Sequence, residues 1–341
     1  MKKQPALTML GASLGMMVLI LDSKTALMGA MDGIRMIGNS VLPSLFPFLF
    51  LSAVITGSQA GEPLPFLTIP GKIFRLPKGA ESILIPGFLG GYPLGAQAAA
   101  AAWKNGDISR ETAERMLAFC SNAGPAFLFG ILSRVFSGRQ MPWLLWFCHI
   151  AGAWVSAHLM AIPCGGTEIG RALPRTETSD VLWRAIRAMA AICSWVLLFR
   201  VMLAFLERWI LWILPQSVQV LVSGMLELTN GCLQLGKIPD ERVRFLAACA
   251  MVSFGGLCVL LQTSSVTKGL SLKWYFLGKV IQAASSVLMG YGIVYRSLLG
   301  FVPFAVIGIF IFVKKEVDFR PWLVYNEKKS KGGYLCSFVK K

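Results

Sequence analysis

The sequence predicts an all-α polytopic membrane protein, and three observations carry that prediction. Of its 341 residues, 55% are hydrophobic and only 15% charged, against about a quarter charged in a soluble domain. Several apolar runs reach about 18–22 residues, the length a helix needs to cross ~30 Å of hydrocarbon. The net charge of +16 crowds into the connections between those runs, as loop cations do when they orient helices. No basic, aromatic-interleaved soluble module accompanies it, so the charge does not point to nucleic acid.

Full spans are predicted near residues 5–21, 40–58, 116–133, 141–163, 188–212, 244–264, 273–295 and 297–313. The basic, apolar N-terminus imitates a signal peptide with a cleavage point near Ala30. Because the rest of the chain is also apolar, it reads as an uncleaved first helix. Two further stretches, 82–103 and 217–236, are apolar but rich in Gly, Pro, Thr and Asn. They read as re-entrant or broken hairpins, tolerated at membrane depth only when buried in protein or lining a cavity.

Charge tests this topology. With the N-terminus inside and eight alternating spans, 22 lysines and arginines fall inside and nine outside, which places both termini in the cytoplasm. If both hairpin segments crossed, the tail would return inside, so charge does not separate that case. The resulting organisation is an N-terminal helix and amphipathic connector (1–39), a first repeat (40–163), a cytoplasmic loop (164–187), a second repeat (188–295), and a last helix with a basic tail (296–341). The tail reads as a stop-transfer anchor, with a weak contact with anionic lipid as the functional alternative.

The two repeats rest on matched blocks. "GDISRETAERMLAFCSNAGPAF" (106–127) lines up with "GKIPDERVRFLAACAMVSFGGL" (236–257), and "PGFLGGYPLG" (86–95) faces "SGMLELTNGC" (223–232). Each half runs hairpin, polar elbow, then a span with a break at its middle. Ser109 is positioned to cap the first elbow's helix, and Pro239 suits the first helical position of the second, followed by Asp240 and Glu241. In the eight-span topology 116–133 runs outward and 244–264 inward, so the halves are inverted. Inverted repeats with interrupted helices place a transported solute near the midplane, where the breaks meet.

The stretches "LIPGFLGGYPLGAQ", "NGDISRETAERMLAFCSNAGPAFLFG", "LELTNG" and "SFGGLCVLLQ" resemble the sporulation integral membrane proteins of the YlbJ type. These fall in the wider nucleoside-recognition, or Gate-domain, group. The resemblance covers roughly residues 25 to 290. It implies an architecture similar to that of concentrative nucleoside transporters, and a role in endospore formation with passage of dipicolinate across a forespore membrane. The Gate group is broad, and nucleoside remains an alternative solute.

The candidate solute-binding residues follow from the breaks. Pro125 lacks an N–H and biases Gly124 away from the helical region, which frees the Ser121 carbonyl beside the Asn122 amide. Gly91, Tyr92, Pro93 and Gly95, after Gly90, form the first hairpin tip, where half-helix N-termini would present N–H groups to an anion. Glu227, with Thr229 and Asn230, places an acid inside an apolar run, which by default marks function. Its bland alternative is a salt bridge with Arg200 or Lys279. Ser253, Gly255, Gly256 and Gln262 mark the second break, with Gln262 near the far end of its span.

Other features read as structure. His149 and His158 project from opposite faces of one helix and share no metal site; each is a helix-contact residue. Cys120, Cys148, Cys193, Cys232, Cys249 and Cys258 lie in apolar runs without metal-ligand spacing and read as packing residues. Trp143, Trp146, Trp209, Trp212 and Trp322 fall near span ends as an interfacial belt. No catalytic set or phosphate loop is present, so an enzyme is not expected. No cofactor or metal is expected, although a coupling Na+ or H+ and a homo-oligomer are compatible with this architecture. The expected function is a permease for a small polar solute, dipicolinate first. A nucleoside permease or a non-transporting sporulation scaffold is the alternative. An anion favours the amide donors of the breaks, but Glu227 would repel it unless protonated or paired with a cation.

Overall fold

A computed structural model describes residues 3–58, 67–76, 80–160 and 178–309, and every regular element among them is helical. Met1, Lys2, residues 164–177 of the expected loop, and the basic tail with Trp322 lie outside the described residues. Up to residue 160 the chain forms α1 (Lys3–Leu21), α2 (Ser23–Met36), α3 (Leu42–Ser58), α4 (Thr68–Ile73), α5 (Leu94–Lys104), α6 (Arg110–Met116), α7 (Pro125–Gly130) and α8 (Met141–Leu159). From residue 178 it forms α9 (Thr178–Trp209), α10 (Gln216–Leu226), α11 (Leu228–Gln234), α12 (Glu241–Phe254), α13 (Gly256–Val266) and α14 (Lys273–Tyr295). A last helix, α15, covers 302–309.

Among the described residues, four stretches of helix are long and apolar enough to cross a membrane: Ser23–Leu51, Asp180–Trp209, Glu241–Val266 and Lys273–Tyr295. Shorter apolar helices occupy Thr8–Leu21, Glu81–Gly90, Pro125–Arg134 and Leu298–Ile309. Two boundaries differ from the sequence expectation. The connector before residue 40 is helical and continues into α3 through a π turn at Ile37–Val41, which absorbs Gly38, Asn39 and Ser40 without a break. Likewise α9 begins ahead of residue 188, because Asp180 sits in its first turn and favours the helix dipole there.

Each of the four unusual segments is interrupted. In 82–103, a π segment at Ile85–Gly90 ends at Gly91 before α5 starts. In 116–133, α6 ends at Met116, turns follow over 117–119, the backbone over 121–124 is irregular with Gly124 extended, and α7 starts at Pro125. In 217–236, α10 and α11 are separated by Glu227 alone, which is extended (φ −137°, ψ 112°). In 244–264, α12 ends and α13 begins at Gly255, left-handed at φ +86° and followed by Gly256 at φ +80°. Two successive positive φ angles suit glycine and strain any other residue.

The elbows use the expected cap chemistry with one shift. The Ser109 hydroxyl accepts from the Thr112 N–H at 3.1 Å. At the second elbow Pro239 lies ahead of the cap. The Asp240 carboxylate takes that place, accepting from Arg242 N at 2.8 Å and Val243 N at 3.1 Å. An oxygen acceptor satisfies orphan amides that proline does not reach.

Packing places α8, α12 and α14 against one another, with α2 and α3 against α9 on a second flank. The first hairpin lies on the first break so closely that a Cβ on Gly95 would stand 1.6 Å from the Cys120 carbonyl oxygen. Five of the six described cysteines are buried as free thiols within these contacts. Among the span-end tryptophans, Trp143, Trp209 and Trp212 are exposed to the surroundings of the bundle.

Gly95→Ala forces backbone apart and is expected to lower stability by about 2 kcal/mol or more. Gly11→Ala, whose Cβ meets nothing within 4 Å, is expected to leave it unchanged. Thermal unfolding of the two purified variants in detergent checks the contrast.

Candidate functional site

The tip of the first hairpin reaches the second break. Tyr92, from the tip of the first hairpin, lays its ring against Gly255 of the second break, the Cβ position there being 3.2 Å away. Its hydroxyl donates to the Val252 carbonyl at 3.1 Å, one turn before that break. The absence of a side chain at Gly255 is therefore doubly required, by its φ angle and by the tyrosine.

At this crossing a polar cluster is shut away from solvent. Asn122, His149, Ser253 and Gln282 are each 0% exposed, and Lys279 is 1% exposed. The Lys279 ammonium, from α14, donates to the Ser121 carbonyl, to Gln282 Oε1 at 2.7 Å, and at longer range to the Tyr92 hydroxyl (3.4 Å) and Asn122 Oδ1 (3.5 Å). It also lies 5.0 Å from the centre of the Tyr92 ring and 5.8 Å from that of Tyr275, a cation–π arrangement. Among the described residues no carboxylate pairs with it.

Gln282 closes the cluster by donating to Asn122 Oδ1 at 2.9 Å and to the His149 carbonyl at 3.1 Å. The Asn122 amide nitrogen turns back to the Phe119 carbonyl at 2.7 Å. His149 bridges both breaks. Its Nε2 accepts from the Ala123 N–H at 3.2 Å, so in the neutral ring Nδ1 carries the proton and donates to Ser253 Oγ at 3.1 Å. His158, on the other face of α8, is remote from this chemistry: it bonds the Trp154 carbonyl at 3.0 Å and stacks on that indole.

The sequence reading offers the Ser121 carbonyl and Asn122 to a solute. Here both are held by α14, because a lysine and a glutamine one turn apart supply the donors these broken-backbone groups lack. Gly91 lies against Gly124, and Gly95 against Cys120, so the first hairpin tip and the first break form one unit. Tyr92, Ser121, Asn122 and Ser253 are thus brought together, with Pro93, Pro125, Gly255 and Gly256 shaping the backbone around them. Gln262 is not part of the cluster; it is buried on α13 with its amide at 3.3 Å from Cys258 Sγ.

Glu227, Thr229 and Asn230 form a second group. The Glu227 carboxylate is 2% exposed and caps α11, accepting from Thr229 N at 3.0 Å and Asn230 N at 2.6 Å. Neither Arg200 nor Lys279 pairs with it: Arg200 is taken by Glu207 at 3.0 Å and Asp32 at 3.3 Å. Among the described residues no hydrogen bond or ion pair joins this group to the Lys279 cluster.

Lys279, Gln282 and His149 are the residues that sequence reasoning passed over as site members. A signal for the lysine was present. Of 33 lysines and arginines, 22 fall on the inside and nine on the outside, in loops or at span ends, which leaves Arg200 and Lys279 deep within apolar spans. An ionisable residue at such a position marks function by default, the rule already applied to Glu227. Gln282 follows as its neighbour one turn along α14.

The chain is similar to a sporulation membrane protein. Over 103 residues it is 34% identical to the sporulation integral membrane protein YlbJ of Bacillus subtilis (strain 168). That stretch is 30% of this chain, and the chain spans about a quarter (25%) of the length of this curated relative. No family model matches the chain, and no solved structure matches it.

Gln282→Leu removes the donor to Asn122 Oδ1 and the acceptor of Lys279 together. It is expected to cost about 2–4 kcal/mol, from buried groups left unpaired. Ser133→Ala, which removes an exposed bond to the Phe129 carbonyl, is expected to cost under about 0.5 kcal/mol. Thermal unfolding in detergent separates the two.

Proposed function

We propose that this chain is a multi-pass membrane permease acting in spore formation. Its solute is a small planar dicarboxylate of the dipicolinate kind. The observation that carries the reading is Lys279: a cation without a carboxylate partner, held where two interrupted helices and a hairpin tip converge. A carboxylate solute is the counter-charge such a group lacks. The printed name of the Bacillus relative supports the setting in sporulation. The matched order of hairpin and broken helix in each half supports an inverted duplication, the architecture in which one half rocks against the other around a central site.

The chemistry is an exchange of acceptors. In the packed state Ser121 O, Gln282 Oε1, Asn122 Oδ1 and the Tyr92 hydroxyl surround the ammonium. A solute carboxylate replaces one or two of them as the breaks separate, and the displaced amides of Asn122 and Gln282 bond the second carboxylate. The left-handed pair Gly255–Gly256 supplies the backbone freedom for that movement. Glu227 does not oppose the anion at this point, since its carboxylate is engaged with the amides of α11 in a separate group.

Proteoliposomes containing the purified protein are expected to take up dipicolinate. Lys279→Gln is expected to lower that flux at least tenfold, the effect of losing one charge-assisted bond, while its elution as a folded particle is unchanged. Uptake of uridine without dipicolinate would overturn the dicarboxylate assignment in favour of a nucleoside. Uptake of neither, by folded wild-type protein, would leave a membrane scaffold and overturn transport.

A further inference from the structure

The two polar elbows each carry a Glu-Arg pair, Glu114–Arg115 and Glu241–Arg242, and the two pairs make the same two contacts at opposite ends of the bundle. At the first elbow, Glu114 Oε1 accepts from the Ser271 N–H at 2.9 Å. The Arg115 guanidinium lies 5.5 Å from the centre of the Trp274 ring. At the second, Glu241 Oε1 accepts from the Ser137 N–H at 3.2 Å. The Arg242 guanidinium lies 5.3 Å from the centre of the Tyr295 ring. Trp274 and Tyr295 stand at the two ends of α14. At ~1.5 Å of rise per residue they are about 30 Å apart, the thickness of the hydrocarbon core of a bilayer.

The contacts are reciprocal. Glu114 belongs to α6, which leads into the first break, whereas Ser271 follows α13, beyond the second break. Glu241 opens α12, which leads into the second break, whereas Ser137 follows α7, beyond the first. Each elbow thus holds the chain that leaves the other break. The matched sequence blocks align Glu111 with Glu241, but Glu111 bonds Arg115 within its own helix at 2.8 Å. The acid that crosses is Glu114, one turn further on. Burial does not demand these crossings. Both bonds are exposed, water would serve either carboxylate there, and an exposed charged contact adds little to stability. The Lys279 cluster between them is sealed. Exposed bonds that tie distant parts of the chain on either side of a sealed site can be broken one at a time at small cost.

We infer that the two Glu-Arg pairs are reciprocal latches, each closing one end of the bundle over the Lys279 cluster. Release of Glu114 frees the loop after the second break and opens the interior at the Trp274 end. Release of Glu241 frees the stretch after the first break and opens it at the Tyr295 end. The latches are unequal, because Arg244 adds a bond from Nη1 to the Val135 carbonyl at 2.9 Å beside Glu241. That the two ends open in turn, so that a solute crosses, rests on the permease reading; the latches themselves do not.

Two native thiols report on the two ends. Cys120 belongs to the buried apolar cluster that includes Met116 and Tyr275, and Cys249 to the one that includes Phe136 and Phe245. Both thiols are 0% exposed. The purified full chain in detergent is labelled with a water-soluble maleimide, and each cysteine is read by mass spectrometry. Glu114→Ala is expected to raise the labelling rate of Cys120 about tenfold and to leave Cys249 unchanged. Glu241→Ala is expected to raise that of Cys249 about threefold, since the Arg244 bond remains, and to leave Cys120 unchanged. Equal rises at both thiols in either variant would report general loosening and overturn the latches, as would wild-type rates in both variants. A response in one variant alone would overturn their reciprocity. Dipicolinate flux in wild-type proteoliposomes, without end-specific labelling in the variants, leaves the permease standing and removes the latches. End-specific labelling without flux keeps the latches and removes the permease.

Discussion

The interior of this protein is organised around one side chain that has no charged partner among the described residues. Lys279 is buried in α14, and its ammonium is satisfied by a carbonyl, two amide oxygens, a phenol and two aromatic faces. Burying a cation without such partners is prohibitive, so the surroundings must bring acceptors to it. The carbonyl comes from the break that Pro125 enforces. The phenol comes from the first hairpin tip, which reaches the second break. Interrupted backbone and buried lysine solve each other's problem: one has unpaired acceptors, the other unpaired donors.

That coupling explains the order of packing. Gly95 and Gly91 let the first hairpin lie on the first break, and Gly255 leaves room for Tyr92 to cross to the second. His149, with its Nε2 accepting from one break and its Nδ1 donating to the other, ties the two through α8. A membrane helix interior has no water to repair a lost bond, so each member of this cluster depends on the others. The second polar region obeys a different logic. There Arg200 pairs with Asp32 and Glu207 beside an open cavity.

Much of the architecture was legible in the sequence. Two interruptions fall in 82–103 and 217–236, which Gly, Pro, Thr and Asn marked as poor straight helices, two fall at the breaks expected inside the spans 116–133 and 244–264, and α14 occupies the range 273–295 that its apolar run predicted. Boundaries at α2–α3 and α9 were not legible, since a π turn and a favourable first-turn acid extend helices without any change in composition. Of the site, Asn122, Ser253 and Tyr92 stood out by residue type and position. Lys279 could have been found by subtracting loop cations. His149 could not, because a histidine on an apolar helix looks the same whether it packs or bridges.

By itself the sequence determined that the chain is helical and apolar enough for a bilayer, and where its helices break, because these are matters of local periodicity and of residues that lack a donor or a side chain. Only the tertiary structure decided that His149 bridges the two breaks, that the carbonyl freed by Pro125 belongs to Lys279, and that Arg200 answers Asp32 and Glu207 and not Glu227. Those pairings join residues far apart in the chain, and the physical reason they escape a linear reading is simple. A donor chooses among acceptors by distance and angle in space, and several candidates of the same chemistry were present along the sequence.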